Sequence, residues 1–184
     1  MGARPIPLSE RGRAEADDIA AMLPGFAPSV CVTSPVLRAV ETADRALRRL
    51  GVDPPRRAHE GLTEFRMGHW EGQTLAELRP LDAWRAYLER PEQVRFPAGE
   101  TLEEIQTRAV RAVNEMVASA TGSVFVVTHA GVVRLLCLAA LAAPLSSYHR
   151  TGVTTASATH LRLVPGRPPQ LRAMGAARRG LEIV

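Results

Sequence analysis

The chain of 184 residues contains no lysine; all 23 of its basic side chains are arginine. Aromatic residues are scarce at 4%, with two tyrosines and four phenylalanines among them, which leaves few rings for nucleic-acid bases to stack on. The arginines are scattered, forming only short pairs such as Arg48-Arg49, Arg56-Arg57 and Arg178-Arg179. A nucleic-acid footprint would be a clustered face or stripe. The net charge of +4 therefore reads as solvated surface, and no nucleic-acid partner is expected. Only two cysteines occur, Cys31 and Cys137, both in apolar runs, so they read as buried thiols. No Cys/His spacing suits zinc, and no group of carboxylates or histidines has ligand spacing, so neither metal nor cofactor is expected. The N-terminus lacks an apolar signal core, and Ile6 stands where a myristoylation signal needs Ser or Thr. The longest apolar stretch, around Leu135 to Leu145, is too short to cross a bilayer. No membrane partner is expected, and the default location is cytoplasmic.

What is present is ordinary for a globular α/β protein. Hydrophobic residues make up 46% and charged residues 23%, and the length suits one domain over residues 1–184. Ser9 is placed to cap a helix through about Leu23, with Ala16, Ile19, Ala20 and Leu23 on one face. Val30-Cys-Val32 reads as a short strand. Pro35 suits the first turn of a following helix that runs to Leu50 and stops at Gly51. Residues 56–64 suggest a strand and its exit, and 65–98 loops and short helices anchored by Trp70, Trp84 and Tyr87. Thr101-Leu-Glu-Glu104 is a capping box, followed by Leu102, Ile105, Ala109, Val113 and Met116 at helical spacing. Val124 to Val127 reads as a buried strand, Val132 to Leu141 as an interior helix, and Ala158 to Met174 as a hairpin with a Pro/Gly turn. Alternating strands and helices predict a three-layer α/β/α sandwich with a mostly parallel sheet and a C-terminal antiparallel hairpin.

The most informative stretch is Val124-Phe-Val-Val-Thr-His129-Ala130-Gly131. In open α/β sheets the carboxyl end of a parallel strand is where ligands sit. The helix that begins there offers free N–H groups, such as that of Ala130, and a partial positive charge suited to an anion. His129 is placed to touch the same anion. Arg38 follows a strand end in the same way, and its planar fork can take two oxygens of a phosphate. Glu64 sits at a strand exit between Leu62 and Phe65, where desolvation raises a carboxyl pKa and prepares it to protonate a leaving alkoxide. Glu71 is a nearby competitor for that role. Trp70 and Gly72 read as packing and turn residues, and Glu100 as support for a helix start.

Five segments occur in an order and spacing that resemble the histidine phosphatase superfamily, the phosphoglycerate-mutase-like fold. They are Pro7-Leu-Ser-Glu-Arg-Gly12, Thr33-Ser34-Pro35-Val-Leu-Arg38, Leu62-Thr-Glu64 through Gly72, Pro97-Ala-Gly99-Glu100-Thr101, and Val127-Thr-His129-Ala-Gly131. The resemblance implies a cofactor-independent phosphatase for small phosphomonoesters, with Glu64 as general acid and Arg38, His129 and Ala130 around the phosphate. It favours phosphatase over mutase because the segment between Glu64 and Gly99 is too short to provide much of a lid.

One family feature has no counterpart here. Members begin with a strand ending in Arg-His-Gly, whose histidine becomes phosphorylated. In this chain the corresponding helix start, Leu8-Ser9, comes too early for that strand. None of His59, His69, His149 and His160 stands in an Arg-His-Gly context, although His69 lies close in sequence to the candidate acid. The expectation is an N-terminally truncated member, inactive or nearly so as it stands. The alternative is a non-catalytic module that binds a small phosphorylated molecule or inorganic phosphate. An absent interior strand would leave one edge of Val124–Val127 open. The hairpin would then slide in beside it, or the edge would recruit another chain as a homodimer.

Overall fold

The computed structural model describes residues 2–177; the Arg178-Arg179 pair lies outside them. The elements run α1 (Glu10–Met22), β1 (Val30–Thr33), α2 (Leu37–Leu50), β2 (Arg56–Ala58), α3 (Leu75–Leu78), α4 (Asp82–Glu89), α5 (Leu102–Ser119), β3 (Val124–Val127), α6 (Ala130–Ala140), β4 (Ala158–Arg162) and β5 (Gln170–Ala176). Short 3-10 turns cover Glu60–Leu62, Gly68–Trp70, Pro91–Gln93 and Leu145–Arg150.

The principal sheet is parallel, in the order β2-β1-β3. Side chains alternate across it, as the strand repeat requires. Cys31 and Val127 pack with Ala39, Ala43 and Leu47 of α2 on one face. Val32 packs with Ala112 and Met116 of α5 on the other, joined by Val30, Val124 and Val126. Helices thus cover both faces, which is why β1 reads as a run of apolar residues without polar alternation. A larger core joins α5 and α6 to the 65–98 region through Phe65, Trp70, Tyr87, Phe96, Ile105, Leu135 and Leu138.

Local signals set most of the boundaries. Ser9 Oγ accepts the Gly12 N–H at the start of α1, and Gly51, in the left-handed region, ends α2. The Thr101/Glu104 capping box opens α5, with both reciprocal bonds formed. Three details differ from the sequence expectation. Pro35 precedes α2 rather than entering it, because Val36 is the N-cap. Ala112 takes the buried position on α5 and Val113 only the rim of the core. Leu141, at the C-cap of α6, is 57% exposed.

β3 departs most from expectation. Only Val127 is fully buried; Val124, Phe125 and Val126 are half-buried, because among the described residues β3 pairs with β1 alone and lies at a sheet edge. The hairpin does not slide in beside it. Among the described residues β4 and β5 form their own two-stranded antiparallel sheet. Leu161 of β4 packs instead on the core that contains Leu135 and Leu138, so the hairpin covers apolar surface rather than completing the ladder.

Candidate active site

The carboxyl ends of β1 and β3 are tied together by the Ser34 N–H, which donates to the Val127 carbonyl at 2.8 Å. Immediately beyond, α2 carries Arg38 and α6 starts after His129. The Leu62–Phe65 segment crosses beside them, held by the Thr128 hydroxyl, which donates to the Leu62 carbonyl at 2.7 Å. Arg38, Glu64 and His129, far apart along the chain, meet at this rim. Arg38 Nη2 lies 3.2 Å from His129 Nδ1, and His129 Nδ1 lies 3.9 Å from Glu64 Oε2.

The hydrogen bonds fix the state of the imidazole. A guanidinium only donates, so Nδ1 accepts from Arg38 and the ring proton resides on Nε2. Nε2 is 2.8 Å from Ser34 Oγ, to which it donates. Ser34 is fully buried, and its hydroxyl also accepts the Val36 N–H at 3.2 Å. Burial, reinforced by the Arg38 and Arg108 charges, lowers the His129 pKa to about 3. The ring is therefore neutral at neutral pH, with its one proton on Nε2 and directed at Ser34 Oγ.

Burial also pushes the Glu64 carboxyl above the ordinary range, against the opposing pull of the Phe65 N–H and the Arg38 charge. Glu64 Oε1 accepts that N–H at 3.1 Å. Arg38 is half-buried and its pKa is lowered by desolvation, with Glu64 and Glu71 acting in the opposite sense. An arginine stays charged even so. Its other bonds go to the carbonyls of Gly2 (2.9 Å, from Nη2) and Arg4 (3.1 Å, from Nη1). Ala130 opens α6, so its N–H is among those with no acceptor inside the helix.

Gly131 explains how the carboxylate reaches this helix start. A Cβ there would stand 2.9 Å from the Phe65 ring and 3.2 Å from Glu64 Oε1. Glu71, the competing carboxylate, accepts the Met67 N–H at 3.1 Å. Trp70 is buried in the aromatic core, and Gly72 turns the chain at φ 85°. His69 is exposed on its 3-10 turn. Glu100 does not support the helix start as expected. Glu104 fills that role, while Glu100 pairs with Arg108 at 2.7 Å. Sequence reasoning missed Ser34 and Arg108 as site residues. The only cue for Ser34 was its place between a strand end and Pro35, and for Arg108 there was none. Among the described residues no group of three or more His, Cys, Asp or Glu could hold a metal ion, and no helix is long and apolar enough to cross a membrane.

Residues 1–176 match the model of the histidine phosphatase superfamily (branch 1). Bacillus stearothermophilus YhfR superposes with a TM-score of 0.88 at 28% identity, covering 96% of this chain and 88% of that one. A mycobacterial glucosyl-3-phosphoglycerate phosphatase superposes with a TM-score of 0.84 at 26% identity, covering 96% and 91%. That protein has also been solved with inorganic phosphate and with VO3. The α-ribazole phosphatase of Shigella flexneri, 22% identical with a TM-score of 0.83 over 98% and 90% of the two chains, shares the fold. No curated protein matches the chain significantly in sequence. The family match extends through the last described strand and takes in every residue of the rim: the chain belongs to the histidine phosphatase superfamily, branch 1.

Proposed function

We propose that residues 1–184 form one phosphoglycerate-mutase-like domain whose rim site binds the phosphate of a small phosphomonoester. The observation that carries this reading is a neutral imidazole that lies within 4 Å of both a charged guanidinium and a carboxyl of raised pKa. The mycobacterial relative solved with phosphate and VO3 supports the choice of ligand.

In this reading Arg38 exchanges the Gly2 and Arg4 carbonyls for phosphate oxygens. A phosphate offers two charged oxygens that match the planar guanidinium fork, which two separate neutral carbonyls do not. The dianion raises the His129 pKa, so Nδ1 takes up a proton and becomes a second donor. The Ala130 N–H and the positive end of α6 add to the field. Glu64, whose carboxyl pKa is raised by burial, is the group placed to give a proton to the leaving alkoxide. These groups hold the phosphate and complete the departure, but none is an attacker.

Phosphoryl transfer to a histidine needs a nucleophile in line with the leaving oxygen. We therefore propose that this polypeptide, whose rim supplies no attacking group, turns over little or no substrate by itself. The second reading, a phosphate-binding module without catalysis, rests on the same retained anion groups. Turnover of p-nitrophenyl phosphate by residues 1–184, side by side with Glu64→Gln and with inorganic phosphate titrated into both, tests the proposal. Phosphate binding without turnover supports it, and turnover by the unaltered chain that Glu64→Gln abolishes refutes it.

A further inference from the structure

We infer that Arg108 and Glu100 are positioning residues that clamp the backbone on both sides of Glu64 and thereby hold its carboxyl in the pocket; the inference rests on the phosphate-site reading above. From α5, Arg108 Nη1 donates to the carbonyls of Gly61 (2.9 Å) and Thr63 (2.7 Å), and Nη2 to the carbonyl of Glu64 itself (3.2 Å). The same guanidinium donates to both oxygens of Glu100, from Nε at 2.7 Å and from Nη2 at 3.0 Å. Glu100 then takes hold of the chain beyond Glu64. Its Oε2 accepts the Arg66 N–H at 3.0 Å, and its own N–H donates to the Arg66 carbonyl at 2.9 Å. Glu64 thus sits between two backbone points fixed by one ion pair.

The pair is costly for a mere tie. Its side chains keep only 18% and 14% of their surface in water. Withdrawing two charges this far carries a desolvation penalty that an ion pair alone often fails to recover. Every carbonyl that Arg108 engages belongs to the segment ending in Glu64. A lysine would keep the charge but not the planar fork that reaches three carbonyls and a carboxylate together. Position and field are therefore separable by substitution.

The groups facing the Glu64 carboxyl are Arg38 from α2, Arg108 from α5 and His129 before α6. The hydroxyls of Tyr87, from α4, and Tyr148, from the 145–150 turn, also sense its charge. All are retained in Arg108→Lys except the fork itself. Glu100→Gln is a second variant of nearly the same shape, which weakens the clamp from its other end.

The test follows the Glu64 carboxyl carbon by NMR against pH, without ligand, in the unaltered chain and both variants. Thermal unfolding and titration with inorganic phosphate accompany it. The clamp predicts folded variants in which the Glu64 midpoint falls toward the ordinary glutamate value, as the carboxyl turns to water, and in which the phosphate Kd rises severalfold. A lowered melting temperature with the Glu64 midpoint unmoved in both variants would overturn the inference, leaving Arg108 as a structural tie. If phosphate fails to bind the unaltered chain, the phosphate-site reading falls, while the ligand-free titration still decides the clamp.

Discussion

Arg38 Nη2 sits 3.2 Å from His129 Nδ1, and this one contact assigns the imidazole proton to Nε2 and aims it at Ser34. Ser34 is consequently more than a residue of the turn. In Ser34→Ala the buried Nε2–H and the Val36 N–H both lose their acceptor. An unsatisfied buried donor costs about 1–3 kcal/mol. The expected outcome is a loss of stability of that order in urea, while a loss below about 0.5 kcal/mol, the usual ceiling for surface changes, would contradict the bond.

Gly131 offers a test in which two effects have opposite sign. Gly→Ala inside a helix ordinarily stabilises by about 0.5–1 kcal/mol. Here the added methyl meets the Phe65 ring at 2.9 Å and Glu64 Oε1 at 3.2 Å. Overpacking a well-filled site costs about 1–3 kcal/mol, so the clash wins. Gly131→Ala is expected to lower the urea midpoint and to perturb the Glu64 resonances. A rise in the midpoint would mean that the carboxylate does not approach α6 this closely.

The buried imidazole makes stability depend on pH. Its folded pKa of about 3 lies below the ordinary histidine value of 6.5, so only the unfolded chain takes up the proton between them. The contribution is complete above pH 6.5 and is lost as pH falls toward 3. At about 1.4 kcal/mol per pKa unit the span amounts to a few kcal/mol. Glu64 works in the opposite direction, because its folded pKa is raised: it favours folding at low pH and loses that contribution as pH rises above 4.5. Comparing unfolding of the unaltered chain with that of His129→Gln isolates the histidine. The difference in stability between the two should shrink on acidification, and a pH-independent difference would show that His129 is not held neutral.

Proton uptake should accompany phosphate binding. His129 is neutral in the free pocket and gains a dianion beside Nδ1 when the ligand arrives. Calorimetry in buffers of different ionisation enthalpy measures this directly. A binding enthalpy that varies with the buffer, and ceases to vary in His129→Gln, is the expected result; identical enthalpies in all buffers would exclude His129 as the second donor.

Much of this arrangement was legible in the sequence because its determinants are local. Ser9, Gly51 and Thr101-x-x-Glu104 mark helix ends through bonds made within a few residues. Arg38 and His129 stand out because a strand followed at once by a helix leaves few places for a polar side chain. Apart from the one-residue displacement of Pro35 from α2, the misses depend on contacts that no local signal encodes. Glu100 looked like helix support until Arg108, eight residues on, claimed it. Val124 to Val126 read as fully buried from composition, whereas their burial depends on what lies along the outer edge of β3. The hairpin was recognisable from its turn, but its seat on Leu135 and Leu138 was not, since no local pattern encodes which apolar surface a hairpin covers.

Calorimetric titration of residues 1–184 with orthovanadate, side by side with Arg38→Ala, addresses the rim most directly. Losing a bidentate charged contact of about 1.5–3 kcal/mol should weaken binding at least tenfold. Saturable one-to-one binding by the unaltered chain that is lost or cut to that extent in Arg38→Ala is the predicted result. Equal affinity of the two proteins, or no binding by either, would contradict the assignment of this rim as an oxyanion site.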